Sequence, residues 1–154
     1  MNIHIIAVGS MKRGPERELF DDYAGRFRQL GRQIGFRGLT ETEVASGGGL
    51  DAEAHRLLAK LTSGTRAIRL DEYGGAYKSE AFANHLSTWK DAGEGDLVFL
   101  IGGASGYGRA IEDAVPQTMA FGQATWPHRL VRVMLAEQLY RAVSILSGSP
   151  YHKA

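Results

Sequence analysis

The chain has 154 residues, a formal net charge of +1 and no cysteine. That length suits a single domain, 1–154, with a real core. The missing cysteines exclude disulfides and thiolate metal sites, and the near-neutral balance makes any nucleic-acid contact depend on a local basic patch. No charged and apolar leader pattern opens the sequence, and no apolar run nears the roughly 20 residues of a membrane span, so a cytoplasmic location without a membrane partner is expected.

Asn2 to Val8 is β-rich and apolar and stops at Gly9-Ser10, which predicts a first strand. A basic turn follows, and Pro15 suits the first position of a helix. Phe20, Tyr23, Phe27 and Leu30 then recur at helical spacing until Gly31 or Gly35. Ile34 to Val44 predicts a second strand. After the loop Ser46–Gly49, Asp51 is placed to cap a helix bearing Ala54, Leu57, Leu58 and Leu61. Arg66 to Leu70 predicts a third strand, and Asp71–Gly75 the loop at its end. Ser79 is placed to cap a helix with Phe82, Leu86 and Trp89 on its core stripe.

Leu97–Ile101 is an unbroken apolar run, which suits a strand buried on both faces. It runs straight into Gly102-Gly103-Ala104-Ser105-Gly106-Tyr107-Gly108, whose small residues let a ligand approach the backbone. Arg109 to Ala114 reads as a short helix stopped by Pro116, and Thr118 to Phe121 as a weak fifth strand. Gly122 to Trp126 is a third loop. Pro127 opens a long helix to Ser147, closed by Gly148. The polar side of that helix changes from His128, Arg129 and Arg132 to Glu137, Gln138, Arg141 and Ser144. Two neighbours must therefore bury it: the core and a partner subunit, or two surfaces of one subunit. The alternation of strand and helix predicts an α/β fold with a mainly parallel sheet and helices on both faces.

Ligands of such sheets bind beyond the C-terminal strand ends, where three of these loops converge. Gly103 to Gly108 has P-loop glycine spacing, but Arg109-Ala110 replaces the required Lys and Ser/Thr, so nucleotide hydrolysis is unsupported. No dinucleotide fingerprint follows the first strand, no metal-ligand spacing is present, and there is no nucleophile elbow. An apolar, glycine-lined pocket able to hold an adenosine moiety remains.

Four segments resemble the RlmH family in order and spacing: Ile101–Gly106, Trp126–Arg132, Ala136–Ala142 and Pro150–Lys153, with Ala7-Val8-Gly9 near the start. The resemblance spans the chain. It implies a SPOUT-type fold with a C-terminal trefoil knot, an exception to unknotted topology. It also implies a homodimer that binds S-adenosylmethionine (SAM) and methylates N3 of a pseudouridine in large-subunit 23S ribosomal RNA on assembled ribosomes. Carried over by position, the SAM contacts are Leu70, Gly102, Phe121, Gly122, Gln123, Ala124, Thr125 and Trp126. Tyr151, His152 and Lys153 form the tail that approaches the target nucleotide from the other subunit. Lys153 stands where Arg is frequent, which loses planar bidentate phosphate recognition. His152 is the candidate catalytic group, to orient or deprotonate the uracil ring. Arg129, Arg132 and Arg141 are candidates for phosphate contacts, and Arg132 is expected at RNA or at the subunit contact. Arg141 either meets phosphate or pairs with Glu137. Trp126 and Phe121 either flank adenine or pack in the core, and Tyr151 either stacks on a base or packs on the partner. No metal is expected. The competing readings are a non-catalytic SAM- or nucleotide-binding regulatory module, and a protein that binds RNA structurally with a degenerate pocket.

Overall fold

The structure is a computed structural model that describes residues 1–153. Strands β1 (Asn2–Val8), β2 (Gly38–Val44), β3 (Arg66–Leu70), β4 (Asp96–Ile101) and β5 (Thr118–Met119) form one sheet in the order β2-β1-β4-β3-β5. Every pairing is parallel, so all strands end at the same edge. Helices α1 (Pro15–Gly31), α2 (Leu50–Leu58), α3 (Ser79–Asp91), α4 (Arg109–Ala114) and α5 (His128–Ser147) cover the two faces. The two-residue alternation of strands divides the core. Ile3, Ile5, Leu97, Phe99 and Ile68 face α1, α3 and α5, while Ile6, Val8, Val98 and Leu100 face α2 and α4. β4 is buried from Leu97 to Ile101, as its unbroken apolar run predicts.

The second strand is shorter than expected from Ile34 to Val44. Arg32–Ile34 is a single 3-10 turn, Gly35 takes φ +92°, and the Phe36 N–H donates to Gly31 O at 2.9 Å. That is a left-handed glycine closure of a helix, and pairing with β1 begins only at Gly38. Gly49, not Asp51, is the N-cap of α2, and Lys78, not Ser79, that of α3. The Ser79 hydroxyl is instead committed to Gln138 Oε1 on α5 at 3.0 Å. The fifth strand stops after Met119, apart from a bridge between Ala120 and Ala76.

α5 lies between α1 and α3 on the sheet, which accounts for its turning apolar face within one chain. Arg132 points toward β2, and the later polar side is covered by the C-terminal tail and the start of α3. No helix among the described residues is long and apolar enough to cross a membrane.

Candidate active-site cleft

The loops leaving β3, β4 and β5 enclose a cleft of about 740 Å³ at the C-terminal edge of the sheet. Its walls come from Leu70–Tyr73, Ile101–Tyr107, Met119–Gly122 and Ala124–Pro127, with Glu112 of α4 and His128 and Val131 of α5. A topological edge of this kind gathers residues from distant parts of a chain onto rigid strand ends.

Tyr107 ties two of those ends together. Its hydroxyl lies 2.9 Å from Leu70 O and 2.8 Å from Leu100 O, and accepts the Gly102 N–H at 3.0 Å. Burial pushes the phenol well above its ordinary pKa, so it stays protonated, and its single hydrogen is shared between these two carbonyls. The Gly102 N–H is thus committed within the protein. What glycine at 102 allows is close packing of the loop on the strand end: a Cβ there would lie 2.9 Å from Gly106 O and 3.2 Å from the Tyr107 ring. Gly74 performs the same service for the first loop, where a Cβ would meet the Met119 nitrogen at 2.8 Å.

The cleft is acidic. Asp71, Glu72 and Glu112 line it. Asp71 pairs with Arg69 and accepts the Tyr73 N–H at 3.0 Å, which shapes the first loop. The Glu72 carboxylate accepts the Thr125 hydroxyl and so joins the first loop to the third. Trp126 is 43% exposed and closes the third loop by donating Nε1–H to Phe121 O at 3.1 Å. Burial, helped by Arg129 and Arg132, holds His128 below the usual imidazole range.

The expected cofactor residues Leu70, Gly102, Phe121, Gly122, Ala124, Thr125 and Trp126 all line this cleft; Gln123 belongs to the same loop but not to the wall. The tail residues lie elsewhere. The Tyr151 hydroxyl donates to Glu137 Oε1 at 2.9 Å, and its ring lies 4.6 Å from that of Tyr140. His152 Nδ1 is 3.2 Å from Arg141 Nη1, and Nε2 is 2.9 Å from Glu80 Oε1. A guanidinium only donates, so Nδ1 accepts and Nε2 carries the proton given to Glu80. Lys153 is exposed. None of Tyr151, His152 and Lys153 lines the cleft of its own chain; the tail is held instead by Glu137 midway along α5 and by Glu80 at the start of α3.

Arg132 departs from expectation. It is 1% exposed, and its Nη1 contacts Glu41 at 2.9 Å and Glu43 at 2.5 Å. A guanidinium locked behind two carboxylates cannot reach an RNA phosphate or a second subunit. In sequence it looks like any basic residue on a helix, because its partners lie some ninety positions earlier. Arg141 pairs with Glu137 at 2.5 Å, the helix-pair alternative. Sequence reasoning missed Tyr107, Asp71, Glu72 and Glu112. The two acids after the third strand were a visible signal. Tyr107 carried none, since its role exists only once β3 lies beside β4.

The family model described as "Predicted SPOUT methyltransferase" matches residues 1–152. Curated relatives named ribosomal RNA large subunit methyltransferase H align along the full length. The one from Hyphomonas neptunium is 60% identical over 100% of both chains, and the one from Nitrobacter winogradskyi 48% identical over 99% of both. A SAM-bound putative methyltransferase structure from Legionella pneumophila aligns over 95% of this chain and 66% of its own at 10% identity and a TM-score of 0.45, too loosely to bear on the site.

Proposed function

The chain belongs to the SPOUT methyltransferase family, in the ribosomal RNA large subunit methyltransferase H group, and from that premise we propose that it is a SAM-dependent rRNA methyltransferase acting on N3 of a pseudouridine in large-subunit RNA. The substrate is the assembled ribosome, and the working unit is a homodimer with a threaded C-terminal segment. The observation that carries the reading is the convergence of three strand-end loops on an acidic, glycine-walled cleft in a chain so similar to those relatives along its whole length.

The residues present suit the cofactor. The backbone of Gly102 and Gly103 lines the cleft beside the apolar walls of Leu70, Ile101 and Phe121, a lining that suits a flat purine. SAM is cationic at its sulfonium and amine, and Glu72 and Glu112, which have no cationic partner among the described residues, are placed to favour positive charge, whereas Asp71 is already paired with Arg69. When bound, SAM supplies an activated methyl electrophile. The protein's part is then to hold N3 in line with that methyl and to favour loss of the N3 proton. Positioning of this kind is worth ~7–11 kcal/mol in favourable cases. The separation of tail and cleft within one chain supports a site completed by a second copy. His152, with both ring nitrogens engaged, serves there to orient the uracil ring beside Arg141 rather than to take its proton. As a base it would first have to leave Arg141.

The decisive test is methyl transfer from labelled SAM to assembled ribosomes, isolated large subunits and naked ribosomal RNA from cells lacking the activity. Label at one pseudouridine, chiefly in assembled ribosomes, is expected. SAM bound without label on any substrate would overturn the enzyme reading in favour of a SAM-binding regulatory module.

A further inference from the structure

A charged cluster outside the cleft joins Arg17, Glu41, Glu43 and Arg132. Beyond its two carboxylate contacts, Arg132 donates from Nη2 to Gly9 O at 3.2 Å, and its buried Nε has no partner among the described residues. Arg17 Nη1 meets Glu41 at 2.7 Å while its Nε donates to Met11 O at 3.0 Å. Glu43 accepts the Met11 N–H at 2.6 Å. Ionised side chains therefore grip both backbone groups of Met11 and the carbonyl of Gly9. Taking such charges out of water costs as much as their attraction returns, so an apolar cluster would serve stability at least as well. What the network secures is geometry.

The geometry in question is the loop 9–14. Met11 is its buried anchor, and Lys12 and Arg13 are exposed beside it. Arg129, one helical turn before Arg132, is exposed as well. None of these three cations has an ion-pair partner among the described residues, whereas Arg26, Arg66, Arg69 and Arg141 are paired. β1 neighbours β4, so the loop emerges at the same sheet edge as the cleft, on the side of β4 away from β3. The acidic Asp71–Glu72 loop leaves β3, about 10 Å away at the usual strand spacing. Carboxylates that suit a cationic cofactor repel a phosphodiester backbone. Only the target base can enter the cleft, and the backbone must be held to its basic side.

We propose that loop 9–14, through Lys12 and Arg13 and together with Arg129, is the phosphate clamp for the RNA substrate, with the Arg132 network positioning it against the start of α5. This rests on the reading of the cleft as an RNA methyltransferase site and adds where the backbone is held.

The test uses the full-length protein and assembled ribosomes. Removing both charges in Lys12→Ala/Arg13→Ala weakens ribosome binding about tenfold near physiological salt and makes the log–log salt slope shallower by about 1.5, as the loss of two phosphate contacts requires. SAM affinity and melting temperature stay at wild-type values. Arg132→Met weakens ribosome binding in the wild-type background but adds little once Lys12 and Arg13 are gone, because it acts through them. If that variant is poorly folded, the double alanine variant alone decides. Unchanged affinity and slope in a double variant whose parent methylates ribosomes would overturn the clamp and leave the methyltransferase reading intact. A parent that binds ribosomes with the expected charge dependence but transfers no methyl would do the reverse. A parent that binds no ribosome refutes both.

Discussion

At Gly102 one methyl group is enough to displace a loop that walls the cleft. The Cβ of Gly102→Ala would press on Gly106 O and on the Tyr107 ring, so the loop must shift away from the strand end. SAM affinity is expected to fall at least tenfold, about 1.4 kcal/mol, with little loss of melting temperature; titration calorimetry reads this directly, and wild-type affinity would mean that the loop yields without cost. Tyr107→Phe acts on the same loop differently. It removes a hydroxyl that serves Gly102 N–H and the carbonyls of Leu70 and Leu100. Leaving such groups short of a partner costs about 1–3 kcal/mol, seen as a lower denaturation midpoint and, because the strand ends loosen, as weaker SAM binding. A midpoint equal to wild type would show that the three groups find other partners.

Helix α5 and strand β2 are joined by charge, through Arg132, Glu41 and Glu43. Burial alone would raise the Glu43 carboxyl, but the Met11 N–H, Arg132 and Arg17 outweigh it and hold its pKa below the ordinary range. A depressed carboxyl adds stability above its unfolded pKa, and that contribution is lost as pH falls through the folded value. The junction should therefore weaken below about pH 4. In acid denaturation, Glu43→Gln is expected to be less stable than wild type at neutral pH and to lose less as pH falls; parallel curves for the two proteins would remove Glu43 from the acid transition. Deeper in the same helix the forces are apolar. Leu139→Ala, at a fully buried position between α1 and α3, should cost about 2–5 kcal/mol.

Over the whole molecule, the tail's place outside the cleft wall makes a prediction about assembly. If a second copy completes each site, a chain disabled at Gly102 and a chain lacking Tyr151–Lys153 should each be inactive alone. Mixed under conditions that exchange subunits, they should recover about a quarter of wild-type activity, since half the dimers are mixed and each has one complete site. Absence of recovery, with mixed dimers demonstrated, would place the tail's role within its own chain.

Much of this was legible in the residues. The unbroken run Leu97–Ile101 marked a doubly buried strand, because alternation disappears when both faces are covered. The glycines at 102 and 103 and the loop 121–126 marked the cleft, because close approach leaves a compositional trace. Proline and glycine bounded α1 and α5 for backbone reasons that act locally. The tertiary structure alone decided the rest. Arg132 and Arg129 are indistinguishable on the helix, yet one is buried and the other free, since Glu41 and Glu43 reach α5 only through the sheet order. Tyr107 became a tie only when β3 came to lie beside β4. The tail's place outside the cleft wall followed from its anchors Glu137 and Arg141 on α5 and Glu80 on α3. Composition and spacing record what a residue needs from its immediate neighbours; the partners of buried charges and hydroxyls come from distant segments, and only the packed sheet brings them together.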